Sequence, residues 1–535
     1  MRKSLMVLAS ILGLSWALAP RALAVEVVER PIADLQAAMT TGRTTAADVV
    51  EAYLRRIDRM DRRGPTLRSV ISINPDARAQ ARALDAERAA KGPRGPLHGV
   101  PILLKDNIDT KDRMPTTAGS LALASNFAAE DAPVAARLRA AGAVILGKAN
   151  LSEWANIRSD FSVSGWSAVG GQVRNPYALD RNPCGSSSGS GAATAASFAA
   201  GSVGTETNGS IVCPSTVSGL VGVKPTVGLL SRRGIVPISS SQDTPGPMTR
   251  TVADAALLLT VMAGSDPGDP ATKEADARKA DYMRALDQAA LKGRRLGIFK
   301  STGGYSEGVD AAFEAAKKAL VAAGATLVEV PDINQREMSA AQTILLRTEF
   351  KTGLADYLKT APPEVRVRTL ADVIAFNEAT PAELALFGQN FFYDAEKMKG
   401  LDDPAYLEAK AKARRLAGPE GIDRTLSEHQ LDALIGATGS PAWTTDPVNG
   451  DHYLGGFSSL AAIAGYPHVT VPMGQVRGMP VGLSFVGAAW SEAPLLGMAY
   501  AYEQRTKHRR APTFAASLSA SDSGIAAAQN GVGLK

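Results

Sequence analysis

PVAARLRAAGAVILG (133–147) begins with apolar residues at helical spacing and ends on AVILG, a run that is apolar almost without interruption. The first part reads as an amphipathic helix and the second as a buried strand. The same alternation extends outward. VISI (70–73) precedes an alanine-rich helix to about Ala90, VPILL (100–104) follows, and farther on VDAAFEAAKKALVAAG leads into TLVEV (326–330). Strands alternating with helices argue for an α/β layered domain. HVTVPMG (468–474) and MPVGLSFVG (479–487) flank a short Arg-Gly turn, which predicts an antiparallel pair and hence a mixed sheet. Behind the plausible cap Thr44-Thr45, AADVVEAYLRRIDRMD (46–61) is a further amphipathic helix.

The chain has 535 residues and 45% apolar content, ample for a sizeable core in one large or two medium domains. Arg2 and Lys3, an apolar run from Leu5 to Ala19 and the small-residue end Ala22-Leu23-Ala24 have the form of a signal peptide cleaved after Ala24. The expected product is therefore exported, periplasmic or secreted, and free of the membrane after cleavage. Loss of Arg2, Lys3 and Arg21 takes the formal net charge from +5 to +2, and no basic stretch interleaved with aromatics marks a nucleic-acid partner. The mature domain is expected over 25–512 as a monomer, with a helical, aromatic insert at about 335–430 and a flexible tail at 513–535. In that insert Phe387, Phe391 and Phe392 lie close together, either as a cap over a cleft or as ordinary core. Cys184 and Cys213 are either paired or buried thiols.

Two motif matches mislead. GAVILGKA (142–149) has phosphate-loop spacing, but its middle is a strand and Ala149 stands where a hydroxyl should bind magnesium. GSSSG (185–189) fits the nucleophile elbow of α/β-hydrolases with Ser187 at its centre. That reading needs a histidine from the five present and a strand before the turn, where Asn182-Pro183-Cys184 reads as loop. No clustered ligand set suggests a metal, and no cofactor is implied.

Three stretches carry chemistry instead. HGVPILLKDNID (98–109) delivers Lys105 after an apolar strand, so its amine ends in the interior or at a strand mouth. CGSSSGSG (184–191) offers several hydroxyls in a glycine-rich turn. GTETNGSIVCPS (204–215) places Gly209-Ser210 at the end of a polar loop whose successive amides can converge on one point, as an oxyanion hole requires.

Together with GLVGVKPTVG (219–228), these stretches resemble the amidase signature family of serine hydrolases, Ser186 standing 24 positions before Ser210. LSEWAN (151–156), SGWSAVGGQVRNPY (164–177), PISSSQDTPGPM (237–248), LAGPEGID (416–423) and AYAYEQRT (499–506) resemble its bacterial peptide amidases. Similarity runs from about Asp34 to about Arg510. The resemblance implies a three-layer α/β/α fold whose large central mixed β-sheet is covered by helices. It also implies a Ser210 nucleophile, a bridging Ser186 after a cis Gly185–Ser186 bond, a Lys105 base, and an oxyanion hole from the backbone of Thr207, Asn208, Gly209 and Ser210. The substrate so implied is a small-molecule or peptide carboxamide, the C-terminal amide of peptides first among them. Rivals are a broad acylamide or aryl-amide hydrolase and a secreted binding protein without catalysis; the glutaminase subunit of a tRNA-dependent amidotransferase conflicts with export.

The residues suit these roles. A free lysine with a pKa near 10.4 is neutral about once in 2,500 at pH 7, and burial lowers that pKa by disfavouring the ammonium. Ser187, Ser188 and Ser190 are expected to make turn and helix-start hydrogen bonds within GSGAATAASFAAG (189–201) and its approach. Asn208 departs from the family pattern of Asp or Gly, which puts activity in doubt only if a carboxylate there orients something.

Overall fold

PILLK and VILGKA form adjacent parallel strands, Ile102 pairing with Ile145 and Lys105 with Ala149, in the computed structural model, which describes residues 25–518. The proposed signal segment and residues 519–535 lie outside the described residues. The strands are β1 (Val70–Ile73), β2 (Pro101–Lys105), β3 (Val144–Ala149), β4 (Gly201–Glu206), β5 (Val221–Lys224), β6 (Thr244–Thr249), β7 (Arg295–Phe299), β8 (Thr326–Val330), β9 (Ala433–Ala437), β10 (His468–Val476) and β11 (Met479–Val486). They make one sheet in the order β1-β3-β2-β4-β6-β5-β10-β11-β9-β7-β8. β2 is parallel to β3 and β4, and β7 to β8 and β9, whereas β4, β6, β5, β10 and β11 run antiparallel in succession. The sheet is thus mixed and covered by helices, the α/β architecture expected.

Apolar periodicity explains the covering helices. Thr45 caps the helix Ala46–Ile57 in a reciprocal box with Asp48, and Val49, Val50, Tyr53 and Ile57 are buried. Helices Glu307–Ala322 and Glu492–Thr506 pack on β10 and β11, while the small-residue helix Ser188–Ala195 packs on β2, β3, β4 and β6. That helix stops at Ala195, short of the expected 201, because the chain turns through Ser197 (φ 55°) into β4.

Residues 336–428 contribute no strand and form the helices Arg336–Leu358, Leu370–Ala379, Asn390–Glu396, Pro404–Ala417 and Arg424–Glu428. Phe387, Phe391 and Phe392 are buried: Phe392 stacks on Phe350 and meets Trp154 edge-on at 6.0 Å, and Phe387 meets Trp166 edge-on at 5.4 Å. This packing ties Trp154 and Trp166 to the helical segment. The tail boundary at 513 falls too early: Ala515 bridges to Ala178, and the Phe514 N–H donates to the Pro176 carbonyl at 2.9 Å.

Candidate active site

Lys105 ends β2, and its side chain leaves the sheet at the carboxyl ends of β2 and β4, the edge where open α/β sheets bind ligands. It is wholly buried. Nζ donates to Ser186 Oγ at 2.8 Å and to Thr205 Oγ1 at 2.8 Å, with the Thr205 carbonyl at 3.3 Å. Burial brings the amine down from its ordinary 10.5 to about 7, against the opposing pull of Asp243 and Glu206. Half of the molecules then hold a neutral amine near pH 7.

Ser186 is also wholly buried and follows a cis Gly185–Ser186 bond. The Ser152 N–H donates to its carbonyl at 3.0 Å. A Cβ at position 185 would stand 2.2 Å from Ser152 Oγ, so this close approach requires glycine. Two links tie this turn to Ser210: the Ser187 N–H donates to the Ser210 carbonyl at 3.1 Å, and Cys184 is disulfide-bonded to Cys213. The question left open by the sequence is thereby answered in favour of pairing. Ser210 itself is 8% exposed, and its hydroxyl makes no protein hydrogen bond among the described residues. The structure therefore brings Lys105 and Ser186 into direct contact and leaves the Ser210 hydroxyl unengaged beside their turn.

The loop before the helix Val212–Val217 concentrates free donors. Glu206 Oε2 accepts from Ile211 N and Val212 N at 2.8 and 3.0 Å, and the Gly209 carbonyl accepts from Cys213 N at 2.8 Å. By contrast, the N–H groups of Thr207, Asn208, Gly209 and Ser210 donate to no protein acceptor among the described residues. Four consecutive amides are thus left without a protein partner, and Gly209 (φ 82°) supplies a left-handed step within them. Asn208 is held through its side chain, Oδ1 accepting from Ser458 Oγ at 2.7 Å and Nδ2 donating to Ser459 Oγ at 3.3 Å. Thr207 Oγ1 donates to Asp243 at 2.6 Å, and burial raises that carboxyl to about 6.

A cleft of about 410 Å³ opens on this arrangement, lined by Gly185, Asn208, Gly209, Asn156, Trp443 and Asp451 among others. A second cavity, of about 350 Å³, lies against Asn107, Thr205, Thr207 and the apolar Val236 and Ile238. Sequence reasoning missed Thr205, Asn107, Asp243, Ser458 and Asp451. The first three lie inside quoted motifs, yet nothing local says that Asn107 Nδ2 and Lys105 Nζ share Thr205 Oγ1.

The rival motifs resolve physically. Ser187 Oγ donates to the Thr205 carbonyl at 3.0 Å and accepts from Thr205 N at 3.2 Å, with no exposure. None of the five histidines hydrogen-bonds Ser186, Ser187 or Ser210; His468, for example, pairs with Ser484. Ser188 donates to the Cys184 carbonyl and Ser190 to that of Val203, so these serines tie the helix to loop and strand rather than cap it. Among the described residues no group of three or more His, Cys, Asp or Glu is placed to hold a metal ion, and no helix is long and apolar enough to cross a membrane.

The sequence model of the Amidase family matches residues 48–496. The chain belongs to the amidase signature family. It is similar to the native peptide amidase of Stenotrophomonas maltophilia, at 52% identity and a TM-score of 0.87 over 91% of this chain and 99% of that one. It is equally similar to peptide amidase PAM in complex with the competitive inhibitor chymostatin, at 53% identity and TM-score 0.88 over 91% and 99% of the two chains. Among curated sequences, a probable amidase of Arabidopsis thaliana is 42% identical over 497 residues, 91% of this chain and 92% of the relative. This amidase is a hydrolase that acts on C–N amide bonds.

Proposed function

We propose that the chain hydrolyses carboxamides by a Ser-Ser-Lys relay, with the C-terminal amide of peptides as substrate. The observation that carries the relay is the 2.8 Å bond from a buried amine to Ser186, beside four unpaired amides. Neutral Lys105 accepts the Ser186 proton as Ser186 accepts that of Ser210, whose oxygen attacks the substrate carbonyl. The N–H groups of Thr207, Asn208, Gly209 and Ser210 receive the oxyanion. The proton returns from Lys105 through Ser186 to the departing nitrogen, ammonia leaves, and water repeats the sequence on the acyl-enzyme to free the carboxylate. A Ser186–Ser210 hydroxyl contact closes in the substrate complex.

Similarity to solved peptide amidase structures supports the peptide substrate. Ammonia release from peptide amides, free amino-acid amides, fatty amides and anilides tests it: peptide amides are expected to react fastest. Inert dipeptide amides with fast anilides would leave a broad aryl-amide hydrolase instead. The reading includes export after cleavage at Ala24, favoured by the Cys184–Cys213 disulfide, a bond that persists in oxidising compartments. It also includes a monomeric enzyme; cell fractionation and size-exclusion chromatography check both.

A further inference from the structure

Among the described residues Asp451 is the one carboxylate that lines the cleft, and no lysine, arginine or histidine lines it. Its contacts are unequal. Oδ1 accepts from Ser164 N, Asn182 Nδ2 and Trp443 Nε1, each at 3.1 Å, whereas Oδ2 accepts from Ser164 N alone, also at 3.1 Å. A carboxylate oxygen has capacity for more than one donor, so Oδ2 keeps room for another. Among the described residues no cationic side chain pairs with Asp451. Burial pushes the Asp451 carboxyl up, as expected of a charge that lacks a counter-ion. Trp443 and Tyr453, also in the cleft wall, sit with ring centroids 5.6 Å apart and add π-faces that attract cations.

Resting on the carboxamide reading above, we infer that Asp451 selects carboxamides whose terminal residue carries a cationic group. Gly209 and Asp451 line the same cavity, so an acyl group whose carbonyl meets the Gly209 amide shares that cavity with the carboxylate. The cation has two sources with one chemistry: the α-ammonium of a free amino-acid amide, or a basic side chain on the terminal residue. Two isosteric pairs separate them, alaninamide against lactamide and N-acetylarginine amide against N-acetylcitrulline amide.

The expected result is a preference of about tenfold in kcat/KM for the cationic member of at least one pair, carried by KM and weakened by salt. In Asp451→Asn that preference falls to near one. Asp451 also braces Ser164 and Trp443, and a purely structural role would depress both members of a pair alike and keep their ratio. A ratio near one for both pairs in the wild type, or a ratio that survives Asp451→Asn, overturns the inference. Absence of ammonia from every carboxamide is a different outcome and overturns the carboxamide reading itself.

Discussion

Replacing Lys105 by methionine separates a buried neutral amine from an ordinary lysine. The folded protein holds this amine at about 7 against an ordinary 10.5, so the unfolded chain binds its proton more tightly. Wild-type stability therefore falls as the pH drops from about 10.5 to about 7 and is insensitive to this group below that. Methionine carries no such proton. At about 1.4 kcal/mol per pKa unit, the stability of the variant minus that of the wild type should grow by about 3 to 4 kcal/mol between pH 10 and pH 7. Loss of the bonds to Ser186 and Thr205 shifts the whole curve without changing its slope. Urea unfolding of both proteins at pH 7, 8, 9 and 10 reads the slope directly, and activity should be lost at all four values. A difference that stays level across this range would refute the neutral-amine argument.

Thr205→Val removes the hydroxyl that accepts from both Lys105 and Asn107. It should lower kcat about tenfold to a hundredfold with KM little changed, and move the acid limb of the pH–rate profile downward because the ammonium loses an acceptor. Ser458→Ala removes the shorter of the two bonds that hold the Asn208 side chain and should cut kcat about tenfold while leaving thermal unfolding nearly unchanged, as measured by steady-state kinetics and calorimetry. Opening the Cys184–Cys213 bond, whose partners are 29 residues apart, should cost about 3 to 4 kcal/mol of stability by chain entropy, read as a shift of the urea midpoint in the doubly serine-substituted protein.

Much of the scaffold was legible because its strands announce themselves locally. VISI, VPILL, AVILG, TLVEV and the β10–β11 pair are apolar runs bounded by turn residues, and all are strands. TPGPMT gave no such signal, since two prolines and a glycine read as a turn. Its strand character comes from pairing with β4 and β5, from positions 202–206 and 221–222. GTE (204–206) likewise read as loop, yet it closes β4 and thereby sets Thr205 beneath Lys105.

The site divides the same way. Lys105, Ser186 and Ser210 stood inside recognisable stretches, and the turn geometry around them is local. Ser458 meets Asn208 across 250 positions of sequence, and Asp451 meets Asn182 across 269. Such pairings are products of the sheet order, and no window of sequence contains them. The role of Asn208 was ambiguous for the same reason, until its partners proved to be two serines rather than a group needing a carboxylate.

The most direct test is the rate at which a fluorophosphonate labels the protein as a function of pH, with the adduct located by peptide mapping. A single adduct on Ser210, forming tenfold faster per pH unit up to about 7 and level above it, is the predicted result. Labelling at Ser187 or elsewhere, or a rate still climbing tenfold per unit at pH 9, would contradict the account.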